Sequence, residues 1–140
     1  MKRYKIKYYQ LKIAESEIKV HNPDTIFENL KNDFNPLQEE MYLFCLNVKN
    51  KIMLKKKISI GNLNTLMMTP KDIFYHIFLT ASNSFVLAHN HPSGDITPSR
   101  EDIEFTEKIK KAAEIMQINF LDHIIFTDKE FNSLRSKGIL

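Results

Sequence analysis

The chain has 140 residues, 43% of them hydrophobic and 26% charged, with a net charge of +3 and a single cysteine, Cys45. One domain of this length buries a core without covalent staples, and one cysteine excludes both an internal disulfide and a multi-cysteine zinc cluster. The mildly basic balance permits a nucleic-acid partner without arguing for one, and no apolar stretch is long enough to span a bilayer.

The opening "MKRYKIKYYQLKI" alternates instead of forming an apolar signal core, so a cytoplasmic protein is expected. Tyr4, Ile6 and Tyr8 alternate with lysines, as do Ile18 and Val20 with Glu17 and Lys19, which predicts two half-buried strands hairpinned across "AES". Asn22-Pro23 starts a short helix with Ile26, Phe27 and Leu30 on its apolar face. "EEMYLFCLNVKN" reads as a buried strand and "KIMLKKKISIGN" as its hairpin partner, turning at Val48 to Lys51. Thr69-Pro70 opens a second helix, with Ile73, Phe74, Ile77, Phe78 and Ala81 at helical spacing. "SFVLAH" is the short apolar run of a strand covered on both faces. A third helix follows from Ser99, with Ile103, Thr106, Ile109, Ala113 and Met116 on one side. "INFLDHIIFT" is a further strand, and the closing "KEFNSLRSKGIL" places Gly138 as a helix stop. Strands alternating with helices predict an α/β fold, a mixed β-sheet with helices on both faces, over one domain spanning residues 1–140.

The least ordinary stretch is "VLAHNHPSGDITPSRED", Val86 to Asp102. Residues two apart on an extended chain share a side, so His89 and His91 present both imidazoles to one point, and Pro92 favours extended geometry at His91. "PSGDITP" then reverses the chain and delivers Ser99 and Asp102 to the first turn of a helix. Two neutral imidazoles and a carboxylate make a three-ligand set suited to catalytic zinc, with a fourth position for water. Ser99-Arg100-Glu101-Asp102 also fits a capping box, in which serine and acid satisfy helix N–H groups. The conjunction of strand end, histidine pair, reversing loop and acid at a helix start favours the metal.

His-x-His, seven residues, Ser, two residues, Asp resembles the signature of the JAB/MPN (JAMM) metalloproteases. The wider text "HNHPSGDITPSREDIEFT" with "LDHIIF" is similar to the RadC-like branch of that family over residues 21–140. The resemblance implies a sandwich of the architecture shared with cytidine deaminases and zinc held by His89, His91 and Asp102. It also implies that Ser99 aids the developing oxyanion, and that a glutamate from an earlier strand is the general base. Counting back from "LNVKN" places that base at Glu39, with Glu40 on the other side of the strand as its solvated neighbour. The activity implied is hydrolysis of an amide bond in a protein or peptide substrate, with homodimerisation allowed. The alternative is a DNA-repair-associated module, but relatives carry a helix-hairpin-helix region, and residues 1–38 read instead as two strands and one short helix.

Other residues have simpler readings. Asp122-His123 sits in an apolar strand; one of the two is a candidate partner for a ligand histidine, against a satisfied structural role. Asp95 is explained by turn chemistry, and His21 and His76 have no partner at ligand spacing. Lys55, Lys56 and Lys57 form a solvated strand face or, less simply, a phosphate patch, and Cys45 acts as a small hydrophobe. A zinc deaminase needs a cysteine pair that one cysteine cannot supply, and an HNH nuclease spreads its three named residues along a ββα unit.

Overall fold

The computed structural model describes residues 16–61 and 68–140, so the strand predicted around Tyr4 to Tyr8 lies outside the described residues. Eight elements follow in order: α1 (Pro23–Leu30), β1 (Glu40–Leu46), β2 (Ile52–Ile60), α2 (Pro70–Leu79), β3 (Ser84–Asn90), α3 (Arg100–Met116), β4 (Asn119–Phe126) and β5 (Phe131–Ser133). The strands make one sheet in the order β2-β1-β3-β4-β5. Only β3 and β4 run parallel, joined by the α3 crossover, and the other neighbours are antiparallel. The sheet is therefore mixed, as predicted.

β1 and β3 are buried along their whole length because both of their faces are covered, which is why they read as continuous apolar runs. On one face Tyr42, Phe44, Val86, Ala88, Ile124 and Phe126 pack under Ile26, Phe27 and Leu30 of α1. On the other, Met41, Leu43, Phe85 and Leu87 pack under Ile73 and Ile77 of α2 and Ile109 and Ala113 of α3. Each fully buried Phe or Leu contributes about 1.5–3 kcal/mol, and the stacked rings of Phe85 and Phe120, 4.6 Å apart, tie β3 to β4. At the rims, the lysines of β2 and the three-residue length of β5 discourage pairing with another sheet. No helix among the described residues is long and apolar enough to cross a membrane.

Four local expectations are corrected. Residues 16–20 make a single bridge, Lys19 to Lys51, so only Val20 turns inward and Ile18 is 41% exposed. Phe78 leans on Phe74 but lies beyond the buried stripe of α2, and Ala81 lies past the helix end at φ 49°. Met116 is exposed because α3 overhangs the sheet after Ala113. The closing segment is β5 followed by one hydrogen-bonded turn, in which Gly138 N donates to Arg135 O; one turn is too short to hold as a helix. Gly138 does end that turn, at φ 73°.

A candidate metal centre at the end of the central strand

The strand end, the loop and the helix start are each held by local bonds. His91 N donates to Phe126 O, which keeps the chain in sheet geometry one residue past β3. Gly94, at φ 83°, closes a turn by donating to His91 O, and a side chain at that φ is strained. Thr97 N donates to Asp95 Oδ1 at 2.8 Å, and Asn132 Nδ2 on β5 donates to Ile96 O at 3.1 Å. Ser99 is then the N-cap of α3: its Oγ accepts from Asp102 N at 3.0 Å, while Asp102 Oδ2 accepts from Ser99 N at 2.8 Å. The capping box forms, and it aims the Asp102 carboxylate at the histidines.

His89 Nε2 lies 2.9 Å from His91 Nε2, 3.1 Å separates it from Asp102 Oδ1, and His91 Nε2 is 3.3 Å from Asp102 Oδ2. These three residues are the one group of potential ligands found among the described residues, their ligand atoms all within 4.8 Å of one another. Bonds of about 2.0–2.1 Å to a tetrahedral centre put ligand atoms roughly 3.3 Å apart, close to the spacing seen here. The donor chemistry agrees. His91 Nδ1 lies 2.6 Å from Asp95 O, and since a carbonyl only accepts, Nδ1 carries the proton and Nε2 presents a lone pair to the site. The Asp95 main chain thus matters where its carboxylate serves only the turn. Burial pushes the Asp102 pKa up, but the neighbouring imidazoles of His89 and His91 and the N–H of Ser99 outweigh it and hold the carboxyl well below the usual range. For His91, burial favours the neutral form, yet Asp102, the Asp95 carbonyl and the charge of Glu39 together raise its pKa. Lone pairs and a carboxylate converging on one buried point fit a divalent cation.

The two neighbouring glutamates part company. Met41 pairs with His89 across β1 and β3, and alternation puts Glu39, Met41 and His89 on the α3 face, where the Glu39 charge reaches His91. Glu40 points to the α1 face. The solvated role expected for it is corrected: Glu40 is 2% exposed and accepts from Tyr42 Oη at 2.5 Å, Lys57 Nζ at 2.7 Å and Asn35 N at 3.1 Å. Burial pushes its pKa up, and these bonds outweigh that and hold it below the ordinary value.

Asn90, between the two histidines, is fully buried and clamps the segment carrying Glu39. Its Oδ1 accepts from Glu40 N at 2.7 Å, and its Nδ2 donates to Gln38 O at 2.8 Å. Alternation was the available signal, since a residue between two ligands must face the opposite side of the strand.

The Asp122-His123 pair divides in the same way. Asp122 accepts from Ser133 Oγ at 2.6 Å and from Arg135 N at 3.1 Å, which anchors β5 and the last turn on the α1 face. His123 is fully buried on the α3 face, with Nε2 2.8 Å from His89 Nδ1 and Nδ1 2.6 Å from Thr106 Oγ1. Burial first, then the nearby His89, hold its pKa well below the ordinary value. Thr106 is fully buried on the side of α3 predicted for it, and it serves there as a polar partner as well.

The remaining candidates are accounted for. Lys55 donates to Asn29 O and Asp33 Oδ2, and Lys57 to Glu40, so two of the three lysines are engaged by the chain itself. Cys45 is fully buried, which pushes its thiol up to about 11 and leaves it a packing residue.

Residues 20–139 match the family model described as the RadC-like JAB domain. The chain is 37% identical over 131 residues to a UPF0758 protein of Aquifex aeolicus, covering 94% of this chain and 57% of that protein. It is 41% identical over 128 residues to a UPF0758 protein of Desulforamulus reducens, covering 91% and 56%. It is 43% identical over 103 residues to UPF0758 protein YsxA of Bacillus subtilis, covering 74% and 45%. The chain thus spans about half the length of these relatives. With the fold, the ordered motif and these matches together, the chain belongs to the RadC-like JAB domain family.

Proposed function

We propose that this domain is a zinc-dependent hydrolase of amide bonds in a protein or peptide substrate. The observation that carries the reading is the convergence of His89 Nε2, His91 Nε2 and the Asp102 carboxylate on one point. These residues would hold the ion; zinc, when bound, supplies a Lewis acid for a carbonyl oxygen and acidifies a water molecule. Glu39, on the same face, accepts a proton from the attacking water through its carboxylate and passes it to the departing amine nitrogen. Asn90 keeps Glu39 in place through the main chain on either side of it. The Ser99 cap uses an oxygen lone pair, which leaves the hydroxyl proton for the carbonyl oxygen as it gains negative charge. Such a donor is worth roughly 3 kcal/mol in other acyl-transfer sites.

The test is metal content by mass spectrometry alongside cleavage of a peptide library. Wild type is expected to carry about one zinc per chain, His89→Ala and Asp102→Ala none, and Glu39→Gln the full complement without cleavage. Unchanged zinc in His89→Ala would overturn the site, and full cleavage by Glu39→Gln would overturn the base.

A further inference from the structure

Behind the ligand set runs a buried chain of hydrogen bonds that returns to it. From His89 Nδ1 it passes at 2.8 Å to His123 Nε2, from His123 Nδ1 at 2.6 Å to Thr106 Oγ1, and from Thr106 Oγ1 at 2.7 Å to Asp102 O. His89, His123 and Thr106 are all fully buried, so no water competes for these bonds. The two ends of the chain are the side chain of one ligand and the main chain of another.

The direction of every proton in it can be read from its carbonyl end. A carbonyl oxygen only accepts, so the Thr106 hydroxyl spends its single proton on Asp102 O. Thr106 Oγ1 is then an acceptor, and His123 Nδ1 must carry the proton that it accepts. His123 lies among the rings of Phe105 and Phe120, and its ring nitrogens bond His89 and Thr106, not a carboxylate, surroundings in which a neutral imidazole is the stable form. With its one proton on Nδ1, its Nε2 accepts, and His89 Nδ1 is the donor. A neutral His89 with its proton on Nδ1 has none for Nε2, the nitrogen that faces Asp102 and His91. We infer that Thr106 and His123 form a directional relay, anchored on the Asp102 carbonyl, that fixes His89 as the tautomer able to bind a metal through Nε2.

The inference rests on the metal reading and deepens it. His91 reaches the same tautomer directly, from one main-chain carbonyl in the loop. His89 sits in the core, where the neighbouring β4 offers a side chain, and it reaches a carbonyl only through two intermediaries. A carboxylate in place of His123 would orient His89 equally well but would add a buried negative charge to the site. A neutral relay leaves Asp102 as the one anionic ligand. Thr106 and His123 are positioning residues: neither faces the metal point.

Thr106→Val keeps the shape of the side chain and removes the hydroxyl. His123 Nδ1–H then has no acceptor, and its proton is better placed on Nε2, facing His89. His89 answers by carrying its own proton on Nε2, where it blocks the ligand lone pair. The experiment combines zinc affinity, by competition with a chromogenic chelator, with histidine 15N shifts of the zinc-free protein, which distinguish the two ring tautomers. Wild type is expected to show the Nδ1–H tautomer at both His89 and His123. Thr106→Val is expected to bind zinc roughly 10–100-fold more weakly, the range for losing a ligand's supporting partner, with both rings shifted to Nε2–H. Thr106→Ser, which restores the hydroxyl, is expected to recover both readouts. Zinc affinity in Thr106→Val within twofold of wild type would overturn the relay while the metal site stood. So would an Nε2–H tautomer at His123 in wild type, even if Thr106→Val failed to fold. A wild type that binds no zinc would instead sink the metal reading and the relay with it.

Discussion

Glu40 and Asp102 are both 2% exposed, and both lie near the end of the sheet where β3 stops. Their surroundings differ in kind. Glu40 is ringed by donors: a phenol, an ammonium and a main-chain N–H. Asp102 takes one main-chain N–H and otherwise faces two imidazole nitrogens, one of them shown by its neighbour to be a lone pair. A buried carboxylate saturated by donors is a finished structural joint. One that shares its space with other acceptors asks for a cation. Burial alone does not separate the two; the partners do.

Substitutions that open the closed end or disturb the open one can break this comparison. The largest expected effect on stability is at the closed end. Glu40→Ala orphans Asn35 N and strips a partner from Lys57 and from Tyr42 Oη, and should cost about 2–3 kcal/mol in urea unfolding, tempered because Lys57 reaches water and the phenol keeps Asp33 O at 3.1 Å. Its zinc content should not change. Asn90→Ala comes next: it strips Glu40 N and Gln38 O of their partners and should cost about 1–2 kcal/mol. It also frees the segment around Glu39, so cleavage should fall by more than zinc content does.

The acid limb of stability sharpens the contrast further. The folded pKa of Glu40 lies below its ordinary value of 4.5, so its contribution is present above that pH and is lost as pH falls through the folded value. Glu40→Gln should remove that part of the slope while leaving the contributions of the other carboxylates. Urea midpoints of wild type and variant between pH 7 and pH 3 should therefore converge as the pH falls. A constant gap across that range would count against the role given to Glu40. The smallest effect belongs to Glu39→Gln, which should change stability by no more than about 0.5 kcal/mol, despite being next in sequence to the most sensitive position.

Much of this division was legible beforehand, for a simple reason. Alternation along an extended strand separates Glu39 from Glu40 and pairs His89 with His91 in any sheet. The Ser99 and Asp102 spacing was equally readable, because a capping box is local. What escaped was set by neighbours distant in sequence. Asn90 meets Gln38 and Glu40 across 52 and 50 positions, and His123 meets His89 across 34. Nothing in the spacing of Thr106 within α3 distinguishes a core threonine from one that holds a histidine tautomer. Glu40 read as solvated because a strand start is usually exposed; here the loop at Asn35 and Lys57 of β2 close over it.

The most direct measurement is a zinc-binding isotherm on wild type, Glu40→Ala and His89→Ala under one set of conditions. The account predicts about one tight site per chain in wild type and in Glu40→Ala, with none in His89→Ala. Tight zinc binding that survives His89→Ala, or that disappears with Glu40→Ala while the protein stays folded, would contradict it.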